Sequence, residues 1–270
     1  MPTASLASCF FRKPLCFNLA FLCAFVVQAL PGYSQPNPSE GSLPGAIGQE
    51  EQIVRKLEAL GARVFKNSGH VVEIHLDRTR ASDEDLRLVA QLPEMTDLSL
   101  EQTQIGDTGM SYLRPLRNLE WLNLFGTRVG DAGLKHLREL PNLRHLPVGR
   151  TNVTDAGLIH LEEMPQLLYL GLRGNKVTDA GLKHLRTMEN LVGLHLGETR
   201  ITDEGLRDLK GLTRLKKLWL HNTQVSDKAI AVLAELKSLE ELYIYDTSIS
   251  EEGVKQLQAA LPECHIVSKQ

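Results

Sequence analysis

The chain repeats itself every twenty-four residues, and this spacing constrains the fold more than any other feature. The stretch LRHLPVGRTNVTDAGLIHLEEM, residues 143–164, nearly recurs as LLYLGLRGNKVTDAGLKHLRTM, residues 167–188. The same slide aligns Thr103, Thr127, Thr151, Asn175, Thr199, Thr223 and Thr247. It also aligns Asp83, Asp107, Asp131, Asp155, Asp179, Asp203 and Asp227, with Glu251 closing the series. A fixed period in the twenties marks a solenoid, in which one supersecondary unit stacks on copies of itself.

The unit reads LxxLxLxxTxITDxGLxxLxxLxx. Its first half alternates with period two, as a strand does. In residues 119–125 this places Leu122 and Leu124 inward, with Trp121, Asn123 and Phe125 outward. Its second half spaces Leu134, Leu137 and Leu140 as a short helix does. Thr or Asn at the corner can satisfy backbone groups where the strand ends. Ser or Thr followed by Asp, as in Thr154-Asp155, is expected to cap the helix and place a carboxylate at its positive end. The recurring glycines Gly109, Gly133, Gly157, Gly181, Gly205 and Gly253 are expected to let neighbouring coils pack closely.

These leucine, Thr and TDxGL positions, over about residues 71–257, resemble the leucine-rich-repeat superfamily. The variety with twenty-four residues is similar to repeats of bacterial secreted proteins and of F-box proteins, though no F-box precedes it here. The ending LPECHI, residues 261–266, is similar to closing segments of such bacterial proteins. The resemblance implies an α/β fold: a curved leucine-rich-repeat solenoid of about eight repeats. A parallel β-sheet lines the concave side, short helices line the convex side, and macromolecules bind on the concave side.

The ends differ in composition. Arg12 and Lys13 precede an apolar run over residues 15–30, followed by Pro31-Gly32-Tyr33-Ser34. This reads as a signal peptide over 1–34 and an exported protein, periplasmic or extracellular. The alternative is a membrane anchor formed by residues 15–30. Cleavage leaves Cys264 as the one cysteine, expected to be a small buried hydrophobe. It also leaves 28 basic against 33 acidic residues, so no basic balance points to nucleic acid. Residues 35–48, QPNPSEGSLPGAIG, read as a flexible linker rich in Pro, Ser and Gly. Residues 49–70 read as an N-terminal cap of one helix, Gln49 to Leu60, and a hairpin. Residues 258–270 read as the C-terminal cap.

The outward strand positions form three rows. The first is Glu73, Asp97, Trp121, His145, Tyr169, Gly193, Lys217, Glu241. The second is His75, Ser99, Asn123, Pro147, Gly171, His195, Trp219, Tyr243. The third is Asp77, Glu101, Phe125, Gly149, Arg173, Gly197, His221, Tyr245. Between Met95 and His265 there are seven Phe, Trp or Tyr residues, and six fall in these rows. The plain explanation is that bulky residues suit strands. It would equally predict Val, Ile or Thr there, and the rows hold none. Aromatic clusters on a surface mark contact sites.

The rows suggest two clusters, Trp121, Phe125, His145 and Tyr169, then Trp219, His221, Tyr243 and Tyr245. Gly149, Gly171, Gly193 and Gly197 lie between them with Arg173 and His195. This predicts a shallow depression with Arg173 available for a carboxylate or phosphate. The partner is then a protein or peptide; a glycan or cell-wall polymer is the alternative, since flat rings also suit sugars. A structural spacer is the third reading. No Gly-rich phosphate loop, GxSxG or HExxH occurs, so no catalytic residue, cofactor or metal ligand is assigned. His136, His160 and His184 recur on the helical side and read as a solvated face.

Overall fold

The structure, a computed structural model, describes residues 44–269. The signal peptide and most of the linker lie outside the described residues. Among the described residues, no helix is long and apolar enough to cross a membrane.

Helix α1 spans Pro44–Ala59 and so starts five residues before the expected Gln49. Residues 44–48, expected in the linker, are helical. Proline at the first helical position has its φ already set for a helix, a local preference that overrode the Pro/Gly-rich composition. Ile53, Val54 and Leu57 of α1 are buried in the core. Strands β1, Arg63–Asn67, and β2, His70–His75, form an antiparallel hairpin. Its turn, Ser68-Gly69, has φ of 50° and 90°, the left-handed pair that a two-residue hairpin favours. Glu50 Oε1 accepts from the Val71 amide at 2.5 Å and ties α1 to the hairpin.

Eight strands follow: β3 (Asp97–Ser99), β4 (Trp121–Asn123), β5 (His145–Pro147), β6 (Tyr169–Gly171), β7 (Gly193–His195), β8 (Lys217–Trp219), β9 (Glu241–Tyr243) and β10 (His265–Val267). With the hairpin they make one ten-stranded sheet in chain order, parallel from β2 onward. The repeat sets the register: Glu73 pairs with Asp97, Asp97 with Trp121, Trp121 with His145, and so on to Glu241. The LPECHI ending adds β10, so His265 continues the first row beside Glu241. Short helices or 3-10 turns, such as Asp131–Leu137 and Gly205–Leu209, close each coil. The inward leucines, among them Leu122, Leu146, Leu170, Leu194 and Leu218, are fully buried in one continuous core. Cys264 joins that core, and burial, then Glu241, pushes its thiol up to about 11.

Each corner carries two devices. The Thr hydroxyl donates to the carbonyl three residues back, as in Thr127 to Leu124 at 2.8 Å and Thr223 to Leu220 at 2.6 Å. Asn175 instead reaches the preceding coil, donating to the Val148 carbonyl and accepting from the Thr151 amide, both at 2.9 Å. The residue just before each Thr or Asn is left-handed: Arg78, Gln102, Gly126, Arg150, Gly174, Glu198, Asn222 and Asp246, with φ from 52° to 70°.

The aspartates do more than charge their own helix. Thr154 Oγ1 accepts from the Ala156 amide at 3.3 Å and so caps its helix as expected. The Asp carboxylate turns instead to the next coil. Asp131 accepts from the Thr154 amide and hydroxyl, each at 2.7 Å. Asp155 serves Thr178, Asp179 serves Thr202, Asp203 serves Ser226 and Asp227 serves Ser250 in the same two-pronged way. Where Gly106 and Gly130 stand in place of the hydroxyl residue, only the amide bond remains, at 2.7 and 2.6 Å. Gly109, Gly133, Gly157, Gly181, Gly205 and Gly253 make room for the Asp carboxylate of the preceding coil. A Cβ at Gly133 would lie 2.6 Å from Asp107 Oδ1, inside contact distance.

Candidate functional site

The outward face of the sheet is built as the rows require, because a shift of twenty-four residues moves one strand along and keeps the same side outward. Trp121, His145 and Tyr169 stand in consecutive register on β4, β5 and β6. His195, Trp219 and Tyr243 do so on β7, β8 and β9. Backbone bonds from Glu198 to the His221 carbonyl and from Asn222 to the Tyr245 carbonyl hold the third row in line.

The rings pack on one another rather than standing free. Trp219 lies between His195, at 5.3 Å and 9°, and Tyr243, at 5.5 Å and 13°. His221 stacks on Tyr245 at 4.6 Å and 9°, and meets His195 edge-on at 5.1 Å. Tyr169 reaches Trp219 edge-on at 6.3 Å across Gly193. The expected division into two clusters is therefore bridged. The glycines between them lie beneath rings: a Cβ at Gly193 would sit 2.9 Å from Tyr169 Cδ2, and one at Gly197 would sit 2.6 Å from His221 Nε2. Glycine here gives aromatic neighbours somewhere to lie, so the expected depression is floored by Tyr169, His195 and His221.

Three expected site residues differ from the sequence reading. Phe125 and His221 are buried, at 8% and 5% exposure, because neighbours cover them. The Arg150 guanidinium sits 5.9 Å over the Phe125 ring. Arg173 already pairs with a carboxylate of this chain. Its Nε donates to Glu198 Oε1 at 2.8 Å, its Nη2 contacts the same oxygen, and Arg150 donates to Glu198 Oε2 at 2.9 Å. Glu198 sits in the left-handed corner row, outside the three strand rows, and so escaped the sequence reading. The remaining expected residues, Trp121, His145, Tyr169, His195, Trp219, Tyr243 and Tyr245, are half-buried on the face.

Electrostatics follow from this packing. Burial, then His221 and Arg173, pushes His195 down to about 3. Its Nδ1 accepts from the Gly197 amide at 3.2 Å, as a neutral ring does. Burial, then Arg173, also lowers His221, and neither of its ring nitrogens makes a hydrogen bond within the protein. Burial pushes Tyr169 up to about 12, and burial with the Glu241 hydrogen bond does the same for Tyr243. Burial opposes the Glu198 charge, but the two arginines outweigh it and lower its pKa. Lys217 and Glu241 pair at 2.5 Å.

The first strands are different. Glu73, Asp77, Asp97 and Glu101 occupy outward positions on or just beyond β2 and β3. His75 lies between Glu73 at 2.5 Å and Asp77 at 3.6 Å, and those carboxylates, Asp77 foremost, raise its pKa against burial. Two arginines pair with this group, Arg63 with Asp77 at 3.8 Å and Arg78 with Glu101 at 3.6 Å. The Trp121 ring lies 6.4 Å from that of His75, at the border of the two regions. On the helical side, His184 pairs with Glu162 at 2.5 Å. Among the described residues, no group of three His, Cys, Asp or Glu could hold a metal ion.

No protein-family model matches the chain, and no curated protein matches it in sequence. Solved structures do. Internalin C2 from Listeria monocytogenes is 22% identical, with a TM-score of 0.59 over 81% of this chain and 92% of that one. This chain has the leucine-rich-repeat fold. The ectodomain of the Arabidopsis receptor kinase HAESA, solved with an N-terminally extended IDA peptide hormone, is 20% identical, with a TM-score of 0.63. The alignment covers 83% of this leucine-rich-repeat chain and 41% of that ectodomain.

Proposed function

We infer that this chain is a non-enzymatic, exported binding protein that receives a protein or peptide on the concave, ring-bearing face of its sheet. One observation carries the reading. The aromatic side chains of the repeats gather on the outward strand rows and pack into a continuous half-buried surface from Tyr169 to Tyr245. Trp and Tyr so held lose little conformational freedom on contact and suit them as binding anchors. The HAESA ectodomain, of the same fold, was solved with a peptide hormone and supports a polypeptide partner here. The stacking weakens the carbohydrate alternative, because both faces of Trp219 are already covered by His195 and Tyr243. Export rests on the apolar segment that precedes the folded coils.

The test is affinity capture from culture medium or periplasm with the full chain, alongside a Trp121→Ala/Trp219→Ala double variant. The reading expects a partner that the double variant fails to retain, with the affinities then measured by calorimetry. A partner held equally by both proteins overturns it, as does glycan-array binding without any polypeptide partner.

A further inference from the structure

The two ends of the sheet's outward face are charged differently, and this difference specifies the partner. From β6 to β9 the charges are internally neutralised. Arg150 and Arg173 share Glu198, and Lys217 holds Glu241. On β2 and β3 carboxylates predominate. Arg63 pairs with Asp77 at 3.8 Å, Arg78 with Glu101 at 3.6 Å and His75 with Glu73 at 2.5 Å, but among the described residues no Lys or Arg pairs with Glu73 or Asp97. The surroundings respond as a negative field requires, since His75, held among these carboxylates, has its proton affinity raised. Glu73, Asp97 and Trp121 are consecutive in one row, so Asp97 stands beside the Trp121 position and Glu73 one strand beyond it. Asp97 is oriented by the Thr96 hydroxyl, which donates to its Oδ2 at 2.6 Å. A guanidinium suits that arrangement: its fork fits a carboxylate, and its plane fits an indole face.

We propose that the partner is an extended polypeptide segment with an Arg or Lys side chain at one end and apolar side chains at the other. The cation rests against Trp121 with its charge on Glu73 and Asp97. The apolar side chains lie along the packed rings of β6–β9. From β3 to β9 is six strand steps, about 29 Å at ~4.8 Å each, or roughly nine residues of extended chain. This rests on the reading that the ring-bearing face is the binding surface.

The experiment selects a displayed random dodecapeptide library on the full chain, then measures the enriched sequences as synthetic peptides. Each is compared with a copy in which Arg is replaced by the neutral isostere citrulline. The proteins are the wild type, a Glu73→Gln/Asp97→Asn double variant and Trp219→Ala, each checked for cooperative melting. Enriched peptides are expected to carry Arg or Lys to one side of apolar residues. Citrulline exchange is expected to weaken binding to the wild type about three- to fivefold per charge, as exposed ion pairs do. The loss should shrink below twofold on the double variant, and wild-type affinity should fall with salt. Peptides that need Trp219 yet lack a basic residue, or that tolerate citrulline, overturn this proposal and leave the face reading standing. Absence of enrichment, or peptides indifferent to Trp219→Ala, overturns the face reading itself.

Discussion

The corners of the coils repeat their side chains, whereas the outward face of the sheet does not, although both follow the same spacing. At the corner, Asp131, Asp155, Asp179, Asp203 and Asp227 each make the same two hydrogen bonds to the following coil. On the face, one row runs through carboxylate, indole, imidazole, phenol, glycine and ammonium. Uniform positions serve contacts that every coil must make with its neighbour. Varied positions are free of that duty, and there the chain departs most from its own pattern. Within a repeat array, stability is legible as sameness and recognition as deviation from it.

The largest expected effect probes the uniform side. Asp155→Ala removes both bonds to Thr178 and should cost about 2–3 kcal/mol, measured as a urea-unfolding shift. A cost below about 0.5 kcal/mol would mean that coil stacking rests on leucines alone. Next, Gly133→Ala drives a methyl into Asp107 and should cost about 1–3 kcal/mol, with Ala132→Gly as the exposed control.

The third test turns to the face. His195 and His221 are held neutral in the folded state, with pKa values below the ordinary 6.5. The unfolded chain therefore binds more protons below about pH 6.5, and stability should fall as pH drops through that value toward about 3. The slope is at most about 1.4 kcal/mol per pH unit for each ring. Urea midpoints from pH 7 to pH 4 check this, and His195→Gln should flatten the dependence. A wild-type curve parallel to that of the variant would count against neutral packing.

The smallest effects sharpen the contrast within each region. Gln102 is left-handed at φ 56°, so Gln102→Gly should stabilise by about 0.5–1 kcal/mol, while Gly126→Ala should destabilise by a similar amount. Trp121→Ala should lower stability by no more than about 1 kcal/mol. Trp219→Ala opens a stack with two neighbours and should cost more, about 1–3 kcal/mol.

The strand register and the inward leucines were readable because an unbroken twenty-four-residue spacing leaves one way to align the coils. The three rows were readable for the same reason, since alternation along a strand decides which side chains face out. What lies between rows was not. Arg173 finds Glu198 twenty-five residues on, one step off the repeat, so no row contained the pair. The burial of Phe125 and His221 depends on how neighbouring rings tilt, which pattern does not encode. The left-handed corner was hidden because Gly126, Gly174, Asn222 and Asp246 suit it, while Arg78, Gln102, Arg150 and Glu198 give no sign. The direction of each Asp was missed because a Thr-Asp pair at a helix start reads as a local cap, and the carboxylate acts across the coil boundary.

That one-way carboxylate bond has a consequence for how such a chain can change its length. From Asp131 onward each coil presents the same acceptor forward and the same pair of donors backward, so a whole coil duplicated or excised there leaves each seam with its proper mate. Loss or gain of a single residue between two coils would instead misalign the acceptor and shift the sheet register at once. Growth and shrinkage in complete units is thus the permitted route by which this surface can be made longer or shorter without rebuilding its support.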